Sequence, residues 1–329
     1  MNYLVIDFGG TLVKYSVMNE QSEILVQTEA PAPDSSREEF LDFICSLYRQ
    51  YSEYGLRGIA VSMPGAIHAE TGQIVSAGAY VHLYDMNLYR ELKGRLPVPI
   101  SVENDGKCAA LAEVWQGNLR DCADGIVLIL GTGLAGGIIK NREVHKGKDM
   151  AAGEFSYILT GGEDDIRGSA LMHLSVSALL FRTCLKKGIN VQRDVHYPLY
   201  SQVLDCSHQE LSALDALPEY RHGMNGYQFF ALLEAGDPEI TQMYEEYTAG
   251  LARLVRNLQL IYAPERILIG GGISRQPRLI QDIRAAYRSL DDRFQGVFTT
   301  NAEITTCRFQ NDANQYGALY RFLKQNGQI

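Results

Sequence analysis

The sequence is short of several things, and each shortage removes a class of function. Positive charge is scarce: 30 Lys and Arg stand against 39 Asp and Glu, for a net charge of −9. A nucleic-acid or anionic-membrane surface needs a basic face. The densest basic group, Arg182 with Lys186-Lys187, reads as a solvated helix face and does not supply one. No apolar run approaches the ~18 residues that a membrane span requires. The opening residues Met1-Asn2-Tyr3-Leu4-Val5-Ile6 carry neither a cationic leader nor a small-residue cleavage site, so no signal peptide is expected. Six cysteines (Cys45, Cys108, Cys122, Cys184, Cys206 and Cys307) lie scattered without short spacings. That pattern fits reduced thiols in a cytoplasmic protein and argues against a Cys-rich zinc site. What is left is an ordinary globular composition, 46% hydrophobic and 21% charged over 329 residues, enough for two domains with separate cores.

Glycine is placed with more purpose. Residues 3–6 form an apolar run that meets Asp7-Phe8-Gly9-Gly10-Thr11 and returns as residues 13–17 before a polar reversal at Asn19-Glu20. Residues 126–130 repeat the pattern: they meet Gly131-Thr132-Gly133, return as 136–139 and reverse at Asn141-Arg142. Glycine at a strand end lets backbone N–H groups approach an anion, and the threonine hydroxyl adds a donor. A single such turn reads equally well as an ordinary hairpin. Two of them, about 120 residues apart, favour a duplicated half-domain that clasps a nucleotide.

Between the two turns lies Glu103-Asn104-Asp105-Gly106, at the end of a short strand over residues 100–102 and before a helix over 107–115. Ligands of open α/β sheets collect at the carboxyl ends of strands. A carboxylate between two phosphate cradles is what a kinase needs; the competing reading is that Asn104-Asp105 merely caps the helix. Around this core the pattern predicts a helix over 36–51 with Ser35-Ser36 as caps, and a strand over 56–62 closing on Met63-Pro64-Gly65. It predicts helices over 169–187, 199–217, 226–233, 238–262, 276–290 and 315–325, and a strand over 266–269 ending in Gly270-Gly271-Gly272-Ile273. A triple glycine there can seat a purine or ribose on bare backbone, or can simply make a tight turn. Residues 160–168 read as a polar loop, and the last helix carries no predicted site residue. Domains are expected over 1–117 with 312–329, and over 118–311, hinged near Asn118 and Asn311.

Taken in order, these motifs resemble the ROK family of bacterial sugar kinases and regulators, within the actin-like ATPase superfamily. The resemblance rests on Ile6-Asp7-Phe8-Gly9-Gly10-Thr11, Val61-Ser62-Met63-Pro64-Gly65, Glu103-Asn104-Asp105 with Ala109-Ala110-Leu111-Ala112-Glu113, Leu130-Gly131-Thr132-Gly133 with Gly136-Gly137, Ala152-Gly153-Glu154, and Ile269-Gly270-Gly271-Gly272-Ile273. It implies a two-domain α/β fold of the ribonuclease H-like kind, with a duplicated β-β-β-α-β-α core and an interdomain cleft; site residues expected in both domains imply that the cleft closes on its substrates. It also implies ATP and Mg²⁺ as cofactors, a sugar as partner, and a homodimer. By the same resemblance, Asp105 is the general base. Pro64, Gly65, Asn104, Asp105, Glu154 and Tyr157 hold the sugar. Asp7, Gly9, Gly10, Thr11, Gly131, Thr132, Gly133, Gly270, Gly271, Gly272 and Ile273 hold the nucleotide, with Asp7 on Mg²⁺ through water.

Two departures from the family pattern shape the expectation. Gly153-Glu154-Phe155 continues as Ser156-Tyr157 where family glucokinases carry Gly-His, and no cysteine loop follows Leu159. Zinc is therefore expected to be absent, and Tyr157 stands where the family histidine would be. It can meet the sugar or be a buried core tyrosine. This variant, with Asp85-Met86-Asn87-Leu88, looks more like the zinc-less kinases associated with β-glucosides. The family lysine after Gly-Gly-Thr is Leu12 here, and Lys14 receives no role. No helix-turn-helix precedes residue 3, which points away from the regulators. The leading reading is thus an ATP-dependent kinase of the primary 6-hydroxyl of a hexose or β-glucoside. A glucokinase or N-acetylmannosamine kinase, a non-catalytic sugar sensor, and another actin-like ATPase are the alternatives. Substrate choice within the family is expected to rest on residues 156–170, where the pattern is lost.

Overall fold

The computed structural model describes residues 1–33, 35–193, 197–204, 206, 209–309 and 312–329. In chain order the strands are β1 (Asn2–Phe8), β2 (Leu12–Asn19), β3 (Ile24–Pro31), β4 (Leu56–Met63), β5 (Ile67–His68), β6 (Gln73–Ile74), β7 (Met86–Asn87), β8 (Ile100–Asn104), β9 (Gly125–Leu130), β10 (Leu134–Lys140), β11 (Glu143–His145), β12 (Arg266–Gly270) and β13 (Ile304–Thr306). The helices are α1 (Arg37–Gln50), α2 (Leu88–Leu92), α3 (Asp105–Trp115), α4 (Ala170–Leu174), α5 (Val176–Lys187), α6 (Tyr197–Tyr200), α7 (Gly226–Glu234), α8 (Pro238–Tyr262), α9 (Pro277–Asp292) and α10 (Ala313–Gln325).

Two five-stranded sheets follow one plan. The first runs β3-β2-β1-β4-β8 and the second β11-β10-β9-β12-β13: three strands in a meander, then two more beside the first of the three. In the first sheet β1 pairs antiparallel with β2 and parallel with β4, and β4 pairs parallel with β8. In the second, β10 and β11 are antiparallel and β12 and β13 parallel. This is the duplicated mixed α/β architecture expected from the two glycine turns.

The chain divides into two compact units, residues Met1–Val127, Gly136–Gly153 and Cys307–Ile329, and residues Leu128–Ala135 with Glu154–Thr306. In the first unit both faces of the central sheet are covered, and β1 shows why its run is apolar throughout. Leu4, Ile6 and Phe8 join a core with Phe40, Ile44 and Tyr80, while Tyr3 and Val5 join Cys108, Leu319 and Phe322 on the opposite face. Successive strand side chains point to opposite faces, so a strand buried on both must be apolar at both phases. Helix α10 packs on α3, where the carbonyl of Cys108 lies against Gly317 with no room for a Cβ. The second unit is mostly helical. Its longest helix, α8, starts at the Asp237 cap, whose carboxylate accepts from the N–H groups of Glu239 and Ile240, and has Pro238 in its first turn.

Four readings change. The helix expected over 169–187 is two helices, α4 and α5, broken at Ser175, whose hydroxyl caps α5 by accepting from the Ala178 N–H at 3.0 Å. No helix fills 199–217: α6 ends at Tyr200, a 3₁₀ turn spans Ala213–Ala216, and residues 205, 207 and 208 lie outside the described residues. The basic face at Arg182 is not a solvated one. Arg182 is half-buried and donates to the His173 carbonyl at 3.0 Å, and Lys187 pairs with Asp237 at 2.7 Å; Lys186 alone is well exposed. Residues 160–168 are less structureless than read, since a 3₁₀ turn at Ile166–Gly168 closes them, capped by Asp165. Asn311, expected as a hinge, lies outside the described residues.

Candidate active site

In the first unit, β1 and β4 end side by side because they pair in parallel with Asp7 opposite Ser62. The Ser62 hydroxyl donates to Asp7 Oδ1 at 2.8 Å. Asn314, the second residue of α10, reaches the same carboxylate from the other end of the chain, with Nδ2 at 3.1 Å from Oδ1 and 3.3 Å from Oδ2. Burial pushes the Asp7 carboxyl up from its ordinary 3.8 to about 6, and the Asp105 charge adds to the rise. The hydrogen bonds from Ser62 and Asn314 and the charge of Lys14 oppose it without cancelling it. Two carboxylates thus lie within electrostatic reach of one another.

Asp105 opens α3, the helix that follows β8. Its Oδ1 accepts from the Gly106 N–H at 2.7 Å and from Asn104 Nδ2 at 3.0 Å. Asn104 does two jobs at once. Its side-chain oxygen caps α3 by accepting from the Lys107 N–H at 3.1 Å, and its amide nitrogen donates to the Gly65 carbonyl at 2.9 Å. The capping reading and the site reading therefore describe the same residue. Gly65 sits at φ +109, and a side chain there would run into the Ser76 carbonyl, so the turn after Pro64 requires glycine. Glu103, fully buried, anchors the strand end: its carboxylate meets Lys146 at 2.7 Å and accepts from the Asn104 N–H at 2.9 Å. In the first glycine turn the Gly9 N–H donates to the Leu12 carbonyl at 3.0 Å, and the Tyr80 hydroxyl donates to the Gly9 carbonyl at 2.6 Å. Gly10 and Thr11 are exposed.

The second unit holds the other candidates. The Gly131 N–H donates to the Gly133 carbonyl at 3.0 Å, closing the second glycine turn, and Thr132 is exposed. The turn's outward carbonyls are tied to the helical region: Gly131 accepts from the Val176 N–H at 2.9 Å, and Thr132 from the Tyr200 hydroxyl at 2.9 Å. Ser156 Oγ accepts from the Leu134 N–H at 2.9 Å, which fixes the Glu154–Tyr157 stretch beside the turn. Tyr157, 66% exposed, is not a core tyrosine. Gly271 takes φ +91 and packs on the Leu130 carbonyl with no space for a side chain, so the middle glycine is required by a tight approach of β12 to β9. Gly272 is exposed and opens a 3₁₀ turn, and Ile273 beside it is buried.

Sequence reasoning missed Ser62 as a ligand of Asp7, Asn314 on the helix thought to carry no site residue, and Ser156. Ser62 was legible as the polar residue ending an apolar strand. Asn314 had no local signal. Among the described residues no group of three or more His, Cys, Asp or Glu is placed to hold a metal ion, and no helix is long and apolar enough to cross a membrane.

Comparison with known proteins places these residues in context. The sequence model of the ROK family matches residues 3–168 and 206–325. The chain is 28% identical over 326 residues to a β-glucoside kinase of Listeria monocytogenes, covering 99% of this chain and 98% of that one. It is 29% identical over 325 residues to a β-glucoside kinase of Klebsiella pneumoniae, covering 98% and 96%. A ROK family protein of Streptococcus pneumoniae, solved in complex with sucrose, superposes with a TM-score of 0.81 at 26% identity, covering 100% of both chains. The fold is also that of a ROK glucokinase of Streptomyces griseus, solved with glucose and AMPPNP, with a TM-score of 0.72 at 23% identity over 97% of this chain and 98% of that one.

Proposed function

The chain belongs to the ROK family, and from that premise we propose that this sugar kinase transfers the γ-phosphoryl group of ATP to the primary 6-hydroxyl of a hexose, with a β-glucoside as the preferred acceptor. The observation that carries the reading is the pair Asp7–Asp105, two carboxylates at the carboxyl ends of β1 and β8, on either side of β4, whose charges repel. Phosphoryl transfer asks the protein mainly for positioning and charge neutralisation, plus one group to take the proton of the attacking hydroxyl. We assign that proton to Asp105, whose Oδ1 is already engaged by Asn104 and Gly106 so that the carboxylate cannot rotate away. Such a base contributes ~10²–10⁴-fold in rate. Pro64, Gly65 and Asn104 position the acceptor in the first unit, and Glu154 and the exposed Tyr157 offer hydrogen bonds and a ring face in the second.

Asp7 fits a water-mediated Mg²⁺: it is a hard oxygen donor held by the Ser62 and Asn314 side chains, and its raised pKa marks a place where a cation is welcome. Such an ion would neutralise charge on the phosphates. Gly9, Gly10, Thr11 and Gly131-Thr132-Gly133 are assigned to the phosphates, Gly270-Gly271-Gly272-Ile273 to the adenosine. The preference for β-glucosides is supported by the names of the two relatives above.

A coupled ADP-release assay over hexoses, amino sugars and β-glucosides, with and without chelator, tests the reading. ADP should appear only with Mg²⁺ and fastest with a β-glucoside. Asp105→Asn should lose turnover while sugar affinity stays within roughly tenfold, because an amide still hydrogen-bonds but cannot take the proton. If the variant keeps more than about a tenth of kcat, Asp105 is not the base. Sugar binding without turnover in the intact chain would instead mark a sensor.

A further inference from the structure

The second unit contains a cavity of about 360 Å³ among α4, α5 and α8 that none of the assigned residues lines. Four polar atoms of its lining residues are buried with no hydrogen-bond partner among the described residues: Thr160 Oγ1, His173 Nε2, Arg182 Nε and Tyr247 Oη. Tyr247 is only 2% exposed, so the cavity is what its hydroxyl faces. A buried polar group left unpaired forfeits its hydration without compensation, and native proteins keep few of them. Four collected around one cavity mark a place where a ligand supplies the partners.

The chemistry of the lining defines the ligand. Arg182 is permanently charged and purely a donor, and a tyrosine hydroxyl, a threonine hydroxyl and an imidazole nitrogen can each donate beside it. Arg253 adds a second guanidinium at the exposed rim. Two carboxylates oppose them from the periphery. Glu246 is exposed and accepts from Gln242 Nε2 at 2.9 Å; Glu163 lies 3.9 Å from His173 Nε2 and is half-exposed. Burial holds the Arg182 guanidinium below its ordinary value despite Glu246, so its charge is under-compensated.

We propose that this cavity is an effector site for a small metabolite bearing an oxyanion, a phosphate monoester or a carboxylate, and that its occupancy tunes the glycine turn at Gly131-Thr132-Gly133. The volume suits a ligand of monosaccharide-phosphate size. The coupling route is short. The cavity is lined by His173 and Leu174 at the end of α4 and by Leu179 and Arg182 in α5, on either side of Ser175. At that junction Val176 donates to the Gly131 carbonyl at 2.9 Å, and Ser175 Oγ shares a 2.9 Å bond with the Tyr200 hydroxyl that holds the Thr132 carbonyl. An anion drawing Arg182 and His173 together bears on the segment that shapes the turn. The effect on nucleotide affinity rests on the phosphate role assigned above to Gly131-Thr132-Gly133; the binding itself does not.

Titration calorimetry of the full chain with inorganic phosphate in one arm and citrate in the other tests the site and separates the two sources of oxyanion. At least one should bind, with affinity falling tenfold or more in Tyr247→Phe, which removes one hydroxyl and little else. Arg182→Gln should abolish binding while the folded chain keeps its kcat in probe-free buffer. The bound probe should change the KM for ATP at least twofold in the wild type and leave it unchanged in Tyr247→Phe. The site is overturned if neither probe binds, if both variants bind as the wild type does, or if a crystal soaked with the probes shows only water bridging the four atoms. Binding with an unchanged KM for ATP would overturn the coupling. A chain that never turns over would refute the kinase reading and leave the calorimetric result standing.

Discussion

Replacing Asp7 by Asn should make the protein more stable and nearly inactive, and the size of the gain follows from one carboxylate. In the folded chain Asp7 titrates at about 6 against an ordinary 3.8, chiefly because burial disfavours its charge. The folded state therefore holds that proton more tightly than the unfolded state. Its advantage is complete below the ordinary value and is lost as pH rises through about 6. Linkage puts the cost of ionising Asp7 in the fold at ~3 kcal/mol near neutral pH and roughly half that at about pH 5. An asparagine never carries that cost. It still accepts from Ser62, and a turn of the Asn314 amide pairs the new Nδ2. Allowing ~1 kcal/mol for imperfect hydrogen bonding, the ligand-free variant should exceed the wild type by about 1–2 kcal/mol near neutral pH, with the advantage shrinking toward pH 5. Urea denaturation of both proteins at the two pH values measures this, and the ADP-release assay should show loss of Mg²⁺-dependent turnover in the variant. A variant less stable than the wild type near neutral pH, or a stability difference that does not change with pH, would refute the account of Asp7 as a site that gives up stability for ligand binding.

Further outcomes follow from other parts of the structure. Gly271→Ala should destabilise the second unit by roughly 1–3 kcal/mol, since the position needs positive φ and the new methyl meets the Leu130 carbonyl; an unchanged melting temperature would show that β12 can move off β9 at no cost. Elemental analysis of the purified protein should find no bound zinc, because no cysteine loop follows Leu159 and Tyr157 stands at the family histidine position; one tightly held zinc per chain would contradict this.

Local signals carried much of this protein. The two glycine turns, the cap at Ser36, the Pro238 start of α8 and the strand leading to Asn104-Asp105 were all legible, because each depends on periodicity, capping or turn chemistry within a few residues. The family order of motifs was legible for the same reason. The failures have a common origin as well. Residues 169–187 have helical composition throughout, yet Ser175 turns its hydroxyl to the Ala178 N–H and splits them, a choice that local preference cannot rank against helix continuation. Arg182 sits in a basic stretch and looked solvated, but packing among α4, α5 and α8 draws it inward. Asn314 shows the limit most clearly. Nothing in its own stretch marks it, and it reaches Asp7 only because α10 packs on α3 through Gly317 and brings residues 307 positions apart into hydrogen-bonding distance. The sequence alone determined which residues could do chemistry. Which polar groups are paired, which are buried, and which carboxylate holds its proton was decided by tertiary packing, because desolvation and long-range hydrogen bonds exist only once the chain has closed.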